Sequence, residues 1–202
     1  MFRIGLTGGV ACGKSTVGKM LAERGAHYLQ ADTLAHRLYE PGQPTYYAVV
    51  EHFGREILNC DATINRTRLA NAAFPHRIGE LNSIVHPAVI EAQNQWMSEC
   101  ERKDPAGIAV VEAALIVEAG AVTDFDKLIV VTCPLEQKIE RYARRARITT
   151  EEARTEVLRR GAAQLPDEEK SRTADYVVDN SGSIEDTQRQ VDSLWAKLQK
   201  TI

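Results

Sequence analysis

The 202-residue chain carries 25 Lys and Arg against 28 Asp and Glu, a formal charge of -3. This balance removes the global electrostatics of a nucleic-acid binder and leaves any basic site to be local. Such a length holds one α/β domain with a substantial core and a small inserted subdomain, not two full independent domains. The four cysteines, Cys12, Cys60, Cys100 and Cys133, form no Cys-x-x-Cys pair and no Cys/His cluster at zinc-ligand spacing, as expected of reduced thiols in the cytosol. No apolar run is long enough for a signal-peptide core or a membrane span, so the expectation is a soluble, cytoplasmic chain.

Residues 3–7 (RIGLT) are a short apolar run halted by a glycine pair, which reads as a buried strand entering a turn. A helix is expected over 14–24, where Val17, Met20 and Leu21 recur at helical spacing and Gly25 supplies the stop. Residues 27–31 (HYLQA) read as a second strand ended by Asp32, and 33–40 as a helix stopped at Pro41-Gly42. From 44 to 103 the chain is almost wholly helix-like, with turn signals at 59–61, Pro75 and Pro87; this is the expected substrate region. The β-branched runs 108–113 (IAVVEA) and 127–133 (KLIVVTC) read as interior parallel strands. Two arginine-rich helices are expected over 135–161, broken near 148–150, with a capping-box signal at 150–153 that does not fix the boundary. A last short strand over 175–179 precedes an amphipathic helix whose face is Ile184, Val191, Leu194, Trp195 and Leu198. About five strands separated by helices imply a parallel sheet with right-handed crossovers.

Gly8-x-x-x-x-Gly13-Lys14-Ser15 matches the phosphate-binding loop in full and stands between the expected strand and helix. Glycines let the backbone turn its N–H groups inward, where they and the positive end of the following helix hold phosphate oxygens. Lys14 is expected to bridge β- and γ-phosphate oxygens, and the Ser15 hydroxyl to ligate Mg²⁺. Cys12 within the loop reads either as a thiol activated by the helix terminus or as a small side chain facing away from phosphate. No guanine-reading Asn-Lys-x-Asp follows a late strand, so ATP is the expected nucleotide. A compact chain with a long helical insert fits a small-molecule kinase better than a translocating ATPase, by analogy.

Asp32 follows the second strand and is expected at the same carboxyl-end edge as the loop. There a carboxylate can accept the proton of an acceptor hydroxyl, or it can cap the next helix. Glu112, ending the third strand, reads as a support for Mg²⁺ or as a hydrogen-bonded edge carboxylate, and Glu118 as a weaker candidate for the same work. Arg141, Arg144 and Arg145 lie at helical offsets on one face, which reads as a lid over ATP or as a solvated surface. His86-Pro87 marks an expected helix start.

Taken together, these residues resemble the dephospho-CoA kinase family over nearly the whole length. The resembling segments are 5–44, LNSIVHPAVI in the insert, VVEAALIVEAG at the third strand and ADYVVDNSGS near the end. The resemblance implies a P-loop NTPase-type α/β fold, with a parallel sheet of about five strands, a helical substrate-binding insert and a helical lid. It implies transfer of the γ-phosphate of ATP to the ribose 3′-hydroxyl of dephospho-CoA, with Mg²⁺. The ATP-binding set carried over is Gly9, Ala11, Cys12, Gly13, Lys14, Ser15 and Thr16, with the lid arginines Arg141 and Arg145 and with Asn180, which matches the asparagine beside the adenine. Asp32 matches the family's base, His86 its His-Pro motif, and Leu115 and Ile116 its acceptor-lining segment. Lys14 and Arg141 join Asp32 as the expected catalytic groups.

The chain departs from the family pattern at four places: Gln30 replaces the first Asp of an Asp-x-Asp, Ala114 a proline, Ala11-Cys12 the common Gly-Ser, and Ala146-Arg147 an often acidic stretch. The expected organisation is a nucleotide core (1–40, 106–134 and 174–202), a CoA-binding insert (41–105) and a lid (135–173). The expected partners are ATP and dephospho-CoA, with no nucleic acid and no membrane, in a monomer or weak homo-oligomer.

Overall fold

A computed structural model describes residues 1–74 and 76–201; Pro75, one of the expected turn signals, lies outside them. The strands β1 (Phe2–Gly8), β2 (His27–Gln30), β3 (Ile108–Glu112), β4 (Lys127–Thr132) and β5 (Tyr176–Asp179) form one sheet in the order β2-β3-β1-β4-β5. Every pairing is parallel, as the alternation of strands and helices requires. The helices are α1 (Lys14–Glu23), α2 (Ala31–Leu38), α3 (Pro44–Phe53), α4 (Arg66–Ala73), α5 (Ile78–Lys103), α6 (Leu135–Ala146), α7 (Thr150–Gly161), α8 (Asp167–Thr173) and α9 (Ile184–Leu198).

The chain divides into two compact units, Met1–Gln30 with Cys100–Ile202, and Ala31–Glu99. In the first, β1 is the central strand: Leu6 pairs with Glu112 of β3 and with Ile129 of β4. Side chains alternate across a strand, and β4 shows both faces covered. Ile129 and Val131 enter a cluster with Ile4, Leu6, Val17 and Leu198, while Leu128 and Val130 pack with Ile116 on the other side. The continuous apolar run of β4 is therefore what an interior parallel strand demands. In the second unit Val49, Phe53, Ile57, Leu69, Ala73 and Val85 form a separate core. There the Arg77 guanidinium lies 4.6 Å over the Phe53 ring and donates to Glu80 at 2.9 Å.

Three larger differences from the expected boundaries have local reasons. Helix α2 starts at Ala31, so Asp32 sits inside the first helical turn, where the helix dipole favours a carboxylate, rather than capping a helix from Thr33. Helix α5 runs unbroken through Pro87, so His86-Pro87 is not a helix start. An interior proline costs about 3 kcal/mol, but Ile78, Leu81, Ile84, Val85 and Val89 pack against the second core on both sides of it and hold the helix. The capping box is Thr149 with Glu152, one residue before the expected position, because Arg147 adopts a left-handed φ of 56° that ends α6. Helix α8 has no counterpart among the expected elements. Its signal is Pro166 followed by Asp167, Glu168 and Glu169 in the first turn.

Truncating Ile129 to alanine opens a cavity in the middle of the sheet and is expected to lower stability by about 2–5 kcal/mol. Thr149→Ala, which removes only a helix cap, is expected to lower it by about 0.5–2 kcal/mol; urea unfolding of the two variants measures the order.

Candidate active site

Between the end of β1 at Gly8 and the start of α1 at Lys14, the chain reverses with φ of 149° at Gly8, 55° at Ala11 and 98° at Gly13. Gly13 has no substitute: a Cβ there would lie 1.9 Å from Asn180 Nδ2 and in a left-handed backbone. The amides of Thr16 and Val17 bond back to the Gly13 carbonyl at 3.0 and 3.2 Å. Those of Lys14 and Ser15 precede this ladder and point out of the helix N-terminus, where an anion is favoured. Lys14 folds over its own loop, donating to the carbonyls of Gly8 at 3.0 Å and Gly9 at 2.9 Å. Ser15 and Thr16 follow, part-buried, in the first turn of α1.

The loop is braced from outside. The Cys12 carbonyl accepts from Asn180 Nδ2 at 2.8 Å and from Arg141 at 3.3 Å. Arg141 also donates to the Asn180 carbonyl at 2.8 Å, and Asn180 Oδ1 accepts from the buried Thr187 hydroxyl at 2.8 Å. Thus α6 and the residue after β5 converge on a single peptide group of the loop, and α9 supports the second of them through Thr187. The Cys12 side chain is fully buried in the main core, and burial raises its thiol pKa. Of its two readings the packing one holds. Arg145, by contrast, is exposed and lies 5.3 Å over the Tyr142 ring.

Carboxylates at the strand ends are already engaged. Tyr28 donates to Glu112, and Gln30 Nε2 donates to the Tyr28 hydroxyl at 2.8 Å. Burial first, and then this bond, push the Tyr28 hydroxyl above its ordinary pKa. Glu118 Oε1 accepts from the Leu165 amide and from Lys170 Nζ, both at 2.8 Å, while its Oε2 is buried without a hydrogen-bond partner. Lys170 is fully buried and also donates to the Ala114 carbonyl at 3.0 Å. Position 114 is therefore used through its backbone, so an alanine in place of proline keeps the contact. Leu115 is 46% exposed, but Ile116 is 3% exposed and packs beneath β4. Only Leu115 of that pair presents a surface.

In the second unit Asp32 and His86 are both exposed, Asp32 in the first turn of α2 and His86 in the middle of α5. A cleft of about 500 Å³ in this unit is walled by Tyr39, Ile64, Leu69, Phe74 and Leu81 and is also lined by His36, Arg37 and Arg66, with one carboxylate, Glu40, among them. Burial, and next the Arg66 charge, hold the His36 pKa below its ordinary value against the pull of Asp32. Three positive or ionisable nitrogen groups beside an apolar wall suit a ligand with anionic and apolar ends. The sequence reading missed His36, Arg37 and Arg66. A usable signal was present in two of them: His36 and Arg37 fall one turn after Asp32 on the same helix.

A parallel sheet of this order, with a glycine-rich loop from its central strand to a helix carrying Lys-Ser, defines a phosphate-loop kinase fold. The family model described as dephospho-CoA kinase matches residues 2–186, and the chain belongs to that family. It is 42% identical over 203 residues to the dephospho-CoA kinase of Aquifex aeolicus, covering 98% of each chain. It is 39% identical over 202 residues to that of Syntrophus aciditrophicus, covering 99% of this chain and 84% of the relative. A crystal structure of a Thermus thermophilus protein superposes with a TM-score of 0.79 at 31% identity, covering 98% of this chain and 97% of the other. No helix among the described residues is long and apolar enough to cross a membrane.

Substituting Lys170 with methionine leaves the Glu118 carboxylate buried without its cation. Breaking a buried pair from one side costs about 3–5 kcal/mol, and chemical denaturation of Lys170→Met against wild type is expected to show that loss.

Proposed function

We propose that the chain transfers the γ-phosphoryl of ATP to the ribose 3′-hydroxyl of dephospho-CoA, giving coenzyme A and ADP. The observation that carries this reading is the braced phosphate loop, complete in sequence and geometry, in a chain matched over nearly its whole length by dephospho-CoA kinases. Amides of residues 9–16 cradle the β- and γ-phosphates. Lys14 leaves the Gly8 and Gly9 carbonyls for phosphate oxygens, where its charge offsets what develops on the departing γ-group. Arg141 and Arg145 on α6 approach the same oxygens, and Asn180 lies beside the adenine. Among the described residues no group of three or more His, Cys, Asp or Glu side chains is arranged to hold a metal ion. The Ser15 hydroxyl, part-buried in the first turn of α1, would hold Mg²⁺ together with phosphate oxygens and water.

Asp32 accepts the proton of the 3′-hydroxyl and orients its oxygen for in-line attack. In the cleft of the second unit, His36, Arg37 and Arg66 hold the acceptor's pyrophosphate, and Tyr39, Ile64, Phe74 and Leu81 take its pantetheine arm. His86 and Leu115 add contacts from α5 and from the segment after β3. Residues 41–105 serve as the acceptor-binding insert and 135–173 as a lid whose closure excludes water and so limits ATP hydrolysis. The enzyme works in the cytoplasm, as a monomer or weak homo-oligomer.

The assignment of the base is tested by Asp32→Asn, expected to lower turnover with dephospho-CoA at least roughly 100-fold while ATP affinity stays within about twofold. Near-normal turnover removes Asp32 from that role. Arg66→Ala is expected to raise the KM for dephospho-CoA with a smaller change in kcat.

A further inference from the structure

Lys138, on α6, stands three residues before Arg141 and seven before Arg145, so the three cations occupy one helix face. Arg141 on that face already touches the loop through the Cys12 carbonyl. Lys138 reaches the other side of the same loop: its Nζ lies 2.8 Å, and its Cε 3.3 Å, from where a Cβ on Gly9 would stand. Asp167, the first residue of α8, meets the same point, with Oδ1 2.9 Å from it. The two side chains form an ion pair at 2.6 Å and are only 14% and 19% exposed. Both charges are felt by the thiols of Cys12 and Cys133 beneath the loop.

This pair is poorly explained as a lid brace alone. The buried Lys170–Glu118 pair and the Leu165 amide already fasten α8 and the segment before it to the strand side of the fold. The Lys138–Asp167 pair instead brings an ammonium and a carboxylate against Gly9, one of the two loop glycines whose carbonyls hold Lys14. A carboxylate so near a site for a polyanion is unfavourable unless its charge is masked. Lys138 masks it without nucleotide, and can turn to a phosphate oxygen when one arrives.

We infer that Lys138 is a further phosphate-binding residue for ATP, a second ammonium at the loop beside Lys14, held in place by Asp167 until nucleotide binds. The inference rests on the reading of this loop as the ATP site. Asp167 acts only through Lys138 and is a positioning residue. A charge-assisted contact to phosphate is stronger than an ordinary hydrogen bond. Losing Lys138 therefore weakens ATP, while losing the Asp167 carboxylate frees the ammonium and removes a repulsion.

The test is equilibrium binding of Mg·ATP and of AMP to the full chain in four variants, with thermal unfolding as a check that each is folded. Lys138→Met is expected to weaken ATP roughly tenfold, and Lys138→Arg to stay within about threefold of wild type. Asp167→Asn is expected to bind ATP at least as tightly as wild type. AMP, which lacks the outer phosphates, is expected to change less than about twofold in all three. Lys14→Ala serves as the control on the loop itself: if it does not weaken ATP, the reading of the loop fails. If Lys14→Ala weakens ATP but Lys138→Met leaves it within twofold, the loop stands and Lys138 is overturned. A loss in Asp167→Asn equal to that in Lys138→Met overturns the inference too, because both would then report a structural brace. So does an equal loss of AMP and ATP affinity in Lys138→Met.

Discussion

The carbonyl of Cys12 accepts from Asn180 and Arg141 at one point of the loop, and the nucleotide end of the fold is arranged around that contact. A phosphate cradle needs several consecutive amides turned inward, which L-residues resist because left-handed backbone costs about 1–2 kcal/mol per residue outside glycine. Here Gly8 and Gly13 relieve most of this, but Ala11 adopts φ 55° with its Cβ in place. Hydrogen bonds from Arg141 of α6 and from Asn180 after β5, which are bonded to each other and of which Asn180 is further held by Thr187 of α9, hold the turn against that strain. The loop is thus shaped before any ligand arrives, which is the condition for oriented dipoles to act on phosphate without reorganising.

Behind the loop, the parallel sheet supplies rigidity. β1 lies between β3 and β4, so the loop grows out of the strand with neighbours on both sides, at the carboxyl edge where α/β sheets place their ligands. The helices from 135 to 173 are tied to this rigid centre by charge as well as by packing: Arg141 to the loop, Lys138 with Asp167 at Gly9, and Lys170 with Glu118 under Ala114. Apolar packing alone tolerates sliding. Directional ionic contacts fix where the cations stop relative to the phosphate site.

Much of this was legible in the sequence, and the reasons are specific. The loop was readable because turn glycines, lysine and serine must all fall at fixed spacing between a strand and a helix. The interior strands were readable because burial on both faces leaves continuous β-branched runs such as 127–133. The departures Ala11-Cys12 are now accounted for: Cys12 fills the core under Gly8, and Ala11 takes the left-handed position at some strain. What escaped was set by tertiary contacts. Pro87 reads as a stop until the apolar residues on either side are seen in one core. Lys170 lies in the polar run DEEKSR and reads as a surface residue, although it is fully buried. Lys138 looks like one more charge on a polar helix. Its nearness to Gly9 depends on how α6 and α8 pack, which no local pattern encodes.

In the proposed reaction the chain uses ATP on a specific hydroxyl rather than hydrolysing or merely binding it. The direct measurement is ADP formation from Mg·ATP with dephospho-CoA, adenosine or AMP as acceptor, with the product of the preferred reaction followed by ³¹P NMR. The expected result is ADP release that depends on dephospho-CoA, matched one for one by a new phosphomonoester on the ribose 3′ oxygen. ADP release that proceeds equally without acceptor, or that prefers adenosine or AMP, contradicts it.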